Sequence, residues 1–188
     1  MLEAEGVTVT AVDELNYAFV ISGFDYLNGL QSFRDGLFYV QDISSMLVAQ
    51  TAAPKKGDYV IDVCAAPGGK STHIAELLRG SGHVFARYLT DNKVDMIEEN
   101  IERHGLNNMS AEVWDATVFD ADSAGKADIL ICDLPCSGLG VLGRKKDIRY
   151  KMTPESVDEL VVLQRQILDI KQLFQDLCPG STCTVHVR

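Results

Sequence analysis

Tyr59-Val60-Ile61-Asp62-Val63-Cys64-Ala65-Ala66-Pro67-Gly68-Gly69-Lys70, continued by Ser71 to Leu78, decides the fold. An apolar run of strand length gives way to a Gly-rich turn and then to a helix-like run. In α/β folds, a strand, a tight glycine loop and a helix bring backbone N–H groups up to a ligand. Gly68 and Gly69 carry no Cβ, so a ligand can approach the main chain closely and unusual φ angles cost little. The stretch predicts a small-ligand site.

The same alternation continues outward. Strands are expected at Tyr59–Val63, His83–Leu89, Ser110–Trp114 and Ala127–Cys132, and helices at Lys70–Leu78 and Asp91–His104. Val94, Ile97 and Ile101 line one face of the second helix, and Gly105 supplies its stop. A last helix starts near Pro154 with Thr153 as N-cap, and Leu160, Leu163, Ile167, Ile170 and Phe174 form its apolar stripe. Alternation of this kind predicts an α/β fold, a mostly parallel sheet with helices on both faces.

Before Tyr59 the pattern differs. Short apolar pieces (Val7 and Val9; Tyr17 to Ile21; Leu37 to Val40) are separated by turn signals at Gly23, Asn28-Gly29 and Asp35-Gly36. Residues 1–42 read as a small β-rich leader and 43–188 as the main domain. Ser44 or Ser45 is the expected cap of a helix through Met46 to Ala49, which Pro54 ends.

Composition excludes several classes. The chain has 188 residues, 46% apolar and 23% charged, which fits a globular protein with one good core. No apolar run approaches the ~20 residues of a membrane span, and the acidic N-terminus is unlike a secretory signal, so a cytoplasmic location is expected. The net charge of −10 argues against a broad nucleic-acid surface. One local exception is Arg144, Lys145, Lys146, Arg149 and Lys151, opposed only by Asp147. Five cysteines without a C-x-x-C pair argue against a disulfide framework and a structural zinc site, and no metal is expected.

Two ligands compete for the loop. Gly69-Lys70-Ser71 looks like the end of a P-loop, and Ile129 to Asp133 like a strand ending in a magnesium-binding Asp. However, the P-loop pattern needs Gly at position 64, where this chain has Cys64, and Pro67 removes one N–H from a phosphate cradle. The other ligand is a nucleoside without a triphosphate, such as S-adenosylmethionine. Asp115 and Asp133 follow the third and fourth strands, at the sheet edge where such ligands bind. Cys136, in Asp133-Leu134-Pro135-Cys136-Ser137-Gly138, and Cys183, in Ser181-Thr182-Cys183-Thr184, are read as lying in polar loops where a thiol can act as a nucleophile. Cys132 reads as core, and Cys178 as structural at a helix end.

The loop 64–70, the segments Asp133–Gly138 and Ser181–Thr184, and residues 37–40 together resemble the Sun (Fmu, RsmB) family of bacterial ribosomal-RNA cytosine-C5 methyltransferases, part of the NOL/NOP/Sun group. The resemblance covers nearly all of the chain. It implies a Rossmann-like S-adenosylmethionine-dependent methyltransferase fold, with small-subunit ribosomal RNA as partner. It also implies methyl transfer to C5 of cytosine through a cysteine adduct at C6. Cys183 would be the attacking thiolate, Cys136 would assist release, Asp133 would hydrogen-bond the cytosine and Lys70 would support the charge. Cys64, Ala65, Ala66, Pro67, Gly68, Gly69 and Lys70 would hold the cofactor's methionine end, Asp115 its adenine, with Asp133 and Tyr88 completing the cofactor site. The first ~40 residues resemble the tail of the family's linking lobe.

Two departures stand out. Tyr88 takes the place of an acidic residue that binds the cofactor ribose, and a phenol cannot make a bidentate carboxylate contact. Pro179-Gly180 also runs straight into Ser181-Thr182-Cys183, which shortens the strand that carries this cysteine. The expectation is therefore a truncated catalytic core with incomplete C-terminal strands. The alternatives are a cofactor-binding pseudoenzyme, a P-loop NTPase, and a cytosine methylase acting on DNA through Cys136.

Overall fold

Val60 and Ile61 on one strand, and Ile129, Leu130, Ile131 and Cys132 on the next, are each at most 3% exposed. Such continuous apolar runs belong to strands covered on both faces, as parallel sheets are. The computed structural model describes residues 1–13, 15–139, 143, 150, 152–177 and 182–186, with the backbone alone for 173–177 and 183–186. The chain divides into two compact units, Met1–Val40 with Arg103–Gly105, and Gln41–Glu102 with Leu106–Arg188.

The first unit is an antiparallel hairpin, β1 (Thr8–Val12) and β2 (Leu15–Ser22), followed by the short helix α1 (Gln31–Arg34). Val7, Leu15, Ala18 and Leu30 are its buried apolar residues. The Glu5 carboxylate accepts hydrogen bonds from the N–H groups of Gln31 and Ser32, at 2.8 and 3.2 Å, and so caps α1. Leu37–Val40, read from sequence as strand-like, has no regular structure. There the chain passes so close to Arg103 that a Cβ on Gly36 would lie 1.9 Å from its carbonyl oxygen, and only glycine fits.

The second unit begins with α2 (Ile43–Ala52) and continues with β3 (Tyr59–Asp62), α3 (Gly69–Leu77), β4 (His83–Tyr88), α4 (Asp91–His104), β5 (Met109–Val113), β6 (Ile129–Asp133), α5 (Pro154–Leu177) and β7 (Thr182–His186). Asp42, and neither Ser44 nor Ser45, occupies the N-cap position of α2. Gly105, at φ 60°, closes α4, and the Leu106 N–H bonds back to the Ile101 carbonyl at 3.1 Å. Thr153 and Ser156 cap α5 reciprocally. The Ser156 N–H donates to the Thr153 hydroxyl, and the Thr153 N–H donates to the Ser156 hydroxyl.

All five strands of the sheet run parallel, in the order β5-β4-β3-β6-β7. The two-residue period of the strands builds two cores. Val60, Val84, Ala86, Ile129 and Ile131 pack with residues of α2, α3 and α4 on one face. Ile61, Leu130 and Cys132 pack with Ile167 of α5 and its neighbours on the other. Helices therefore cover both faces, as the sequence predicts. Among the described residues, no helix is long and apolar enough to cross a membrane.

One buried cation braces the sheet away from the apolar cores. Arg87 of β4 donates from Nε to Glu112 at 2.5 Å and from Nη2 to Asp120 at 2.6 Å, and its Cζ lies 4.8 Å from the centre of the Trp114 ring. Asp120 is only 5% exposed, so removing Arg87 leaves a buried carboxylate without its cation, held by Ser123 and the Asp122 N–H alone. Arg87→Met is expected to lower the free energy of urea unfolding at neutral pH by about 3–5 kcal/mol. Adding Asp120→Asn should recover part of that loss. A loss below about 1 kcal/mol for Arg87→Met, the worth of a surface pair, would contradict this account.

Candidate active site at the carboxyl edge of the sheet

The chain leaves β3 toward β4 on one side, while β6 lies on the other side of β3. Strand order reverses between β3 and β6, and the crevice above their carboxyl ends is where open α/β sheets bind ligands. Two loops border it, residues 63–68 after β3 and 134–138 after β6.

The first loop has most of its N–H groups already committed. Val63 donates to the Ile131 carbonyl, Cys64 to the Asp62 carboxyl, Ala65 to the Arg87 carbonyl and Gly68 to the Ala65 carbonyl. Pro67 has no N–H. Its carbonyl is held from α4 by the Asn100 amide at 2.7 Å. A cradle for a triphosphate needs those N–H groups free, so the loop does not suit one. Gly68 sits at φ 106°, a conformation that L side chains rarely adopt. It starts α3 without a side-chain cap, and the first N–H groups of a helix have no acceptor within it. The N–H groups of Gly69 and Lys70 and the positive end of the helix dipole are therefore offered to one small anionic group.

Below the loop lie three charged side chains. Lys70 forms an ion pair with Asp133 across the crevice, so the first turn of α3 is joined to the end of β6. Asp62, fully buried at the end of β3, accepts a hydrogen bond from the Ser71 hydroxyl at 2.6 Å. Burial pushes its pKa up to about 6, reinforced by the Asp133 charge and opposed by Ser71, Lys70 and the Cys64 N–H. Burial also pushes the Cys64 thiol up to about 12, with Asp62 and Asp133 adding to the shift. Cys64 is therefore a neutral thiol at physiological pH and part of the loop's packing, with no thiolate to offer.

Cys136 lies in the second loop, partly exposed, three residues beyond Asp133. Buried Leu134 anchors one side of it, and the Gln164 amide of α5 donates to the Pro135 carbonyl at 2.7 Å. The sequence alone points neither to Gln164 nor to the pairing of Asp62 with Ser71. Asp62 has a visible signal, a carboxylate ending an apolar strand. Gln164 has none, because its partner is 29 residues away.

Cys183 requires a correction. The sequence reading puts it in a short polar loop, but it lies inside β7, paired in register with Leu130, while His186 pairs with Asp133. Its Cα is three residues short of the carboxyl end of β6, about 10 Å along the strand. β-Branched Thr182, Thr184 and Val185 favour the extended state and outweigh their mixed polarity. Asp115 follows β5, and one carboxylate oxygen is engaged by the N–H and hydroxyl of Thr117 in a turn. Tyr88 ends β4 and packs, partly buried, against the core formed with α2, α3 and α4. Arg144–Arg149, Lys151, Cys178 and the turn Pro179-Gly180 lie outside the described residues. Among the described residues, no group of three or more His, Cys, Asp or Glu side chains converges as metal ligands would.

The raised Asp62 pKa has a stability consequence. Between 3.8 and about 6 the folded protein holds a proton that the unfolded chain has lost, so stability falls as pH rises through that window. Asp62→Asn removes this term and keeps an acceptor for Ser71. Thermal melts across the window should show the variant gaining on wild type as pH rises to about 7. A difference that is flat with pH, or that moves the other way, would contradict the burial of an ionisable Asp62.

The family described as 16S rRNA methyltransferase RsmB/F matches residues 49–188. A probable ribosomal RNA small subunit methyltransferase B of Bacillus subtilis (strain 168) is 40% identical over 161 residues, which are 84% of this chain and 36% of that protein. A ribosomal RNA small subunit methyltransferase F of Escherichia coli O17:K52:H18 is 37% identical over 161 residues, 80% of this chain and 33% of that protein. The chain thus spans about a third of the length of these relatives. The crystal structure of NSun6 from Pyrococcus horikoshii with SFG superposes with a TM-score of 0.76 at 34% identity, over 87% of this chain and 41% of that one. Residues 49–188, which include the glycine loop and the Asp133–Gly138 segment, match the family of RsmB/F 16S rRNA methyltransferases, to which this chain belongs.

Proposed function

We propose that the crevice between β3 and β6 binds S-adenosylmethionine and that the chain carries the catalytic core for methylating C5 of a cytosine in small-subunit ribosomal RNA, through a cysteine adduct at C6. The observation that carries this reading is the placing of uncommitted N–H groups at the start of α3 beside an ion-paired Lys70 and Asp133, with Cys136 in the next loop. The glycine loop suits the donor better than a nucleotide, since one small carboxylate can be held where a triphosphate cannot.

The bound donor supplies an electrophilic methyl group on a sulfonium. The protein's task is to make cytosine C5 nucleophilic. A thiolate adds to C6, the C5=C6 electron pair moves to C5, and C5 takes the methyl as the methyl–sulfur bond breaks and its pair stays on sulfur, leaving a neutral thioether. A base then removes the C5 proton, the pair returns to C5=C6, and the carbon–sulfur bond breaks. Asp133 hydrogen-bonds the cytosine ring and Lys70 stabilises the charge that develops. The target base leaves its stack to reach the crevice, and the basic run Arg144–Lys151 meets the RNA backbone. On this reading the chain works in the cytoplasm, where bacterial ribosomal RNA is made. Residues 1–42 serve as a leader to the catalytic domain 43–188. The register of β7 favours Cys136 over Cys183 as the thiol at the reacting face. The same register favours one alternative, a protein that binds the donor without turnover.

The test incubates the purified chain with radiolabelled S-adenosylmethionine and 16S rRNA, followed by nuclease digestion. The expected product is 5-methylcytidine. Cys136→Ala should lower its yield about 100-fold or more, and Cys183→Ala should leave it within about twofold. Label on another base or on ribose would contradict the assignment, and loss of product on Cys183→Ala alone would return the attacking role to Cys183. Donor binding with no product would favour the alternative.

A further inference from the structure

Gln41 opens the second unit, two residues before α2. Its Nε2 and Oε1 atoms are both buried, and neither has a hydrogen-bond partner among the described residues. A primary amide brings two donors and an acceptor, and burying them unmet is costly. Its place is specific. A Cβ built on Gly69 would lie 3.8 Å from Gln41 Nε2, so the amide stands beside the first residue of α3. That is where the helix presents N–H groups without intrahelical acceptors.

We infer that Gln41 is a ligand-binding residue that recognises the amino-acid end of the methyl donor, an inference that rests on the S-adenosyl reading above. Nε2 donates to the α-carboxylate that the start of α3 attracts, and Oε1 accepts from the α-ammonium. A zwitterion offers one acceptor and one donor group close together, which one planar amide can meet at once. A phosphate offers acceptors only and would leave Oε1 facing an anion. Gln41 thus selects a free amino-acid end over a nucleotide, and Gly69 leaves room for it. The unmet amide in the free protein is also a stability cost that ligand binding removes.

Calorimetry with two probes tests this. S-Adenosylhomocysteine carries the amino-acid end; 5′-methylthioadenosine has the same nucleoside and sulfur without it. Gln41→Leu, of similar volume, should weaken S-adenosylhomocysteine about 10- to 100-fold and leave methylthioadenosine within about twofold, while the ligand-free protein melts at the same or a higher temperature. Gln41→Glu keeps the size but offers acceptors only, and should weaken S-adenosylhomocysteine at least as much. Equal weakening of both probes, or no change in either, would overturn the role of Gln41 and leave the S-adenosyl site standing. Wild-type protein that binds ATP and neither probe would overturn both.

Discussion

The ion pair between Lys70 and Asp133 joins the two elements that border the crevice. Lys70 belongs to the first turn of α3, set by the glycine loop, and Asp133 ends β6, set by its pairing with β3. Neither would lie at this edge unless the chain crossed to opposite sides of β3 at this point. Beneath it, burial holds Asp62 up to about 6, with the Asp133 charge adding to the shift and the Ser71 hydrogen bond and Lys70 opposing it. In the same surroundings, Cys64 stays a thiol, so its place in the loop is structural.

Reactive side chains at one edge and a dry core behind them follow from the same strands. Val60, Ile61 and Ile129–Cys132 bury both faces of the central pair, which fixes their register. Polar residues appear where these strands end, at Asp62 and Asp133. From there the loops are held by side chains of neighbouring helices, Asn100 on Pro67 and Gln164 on Pro135. These two amides steady the loop backbones without touching the reacting groups. Their loss would loosen loop geometry before it lowered the stability of the sheet.

Much of the architecture was legible because local signals agreed with the global fold. The loop from Cys64 to Lys70, the apolar stripe of α4 and its Gly105 stop, and the Thr153 cap of α5 each gave the element that is present. Where signals conflicted, reading failed. The N-cap position of α2 falls on Asp42, two residues before Ser44 and three before Ser45, and no side chain caps it. The polar run around Cys183 hid an edge strand whose β-branched residues pair with β6. Leu37–Val40 is an apolar run with no partner strand among the described residues, and apolar character alone does not make a strand. The burial of Asp62, the amide of Gln41 and the reach of Gln164 depend on distant packing, which no local pattern encodes.

The most direct measurement is a crystal structure of the chain with S-adenosylhomocysteine bound. The account predicts its carboxylate at the N–H groups of Gly69 and Lys70, and its sulfur above the carboxyl ends of β3 and β6, facing the Asp133–Gly138 loop. A ligand lying elsewhere on the sheet, or bound there with its adenine at the start of α3, would contradict it.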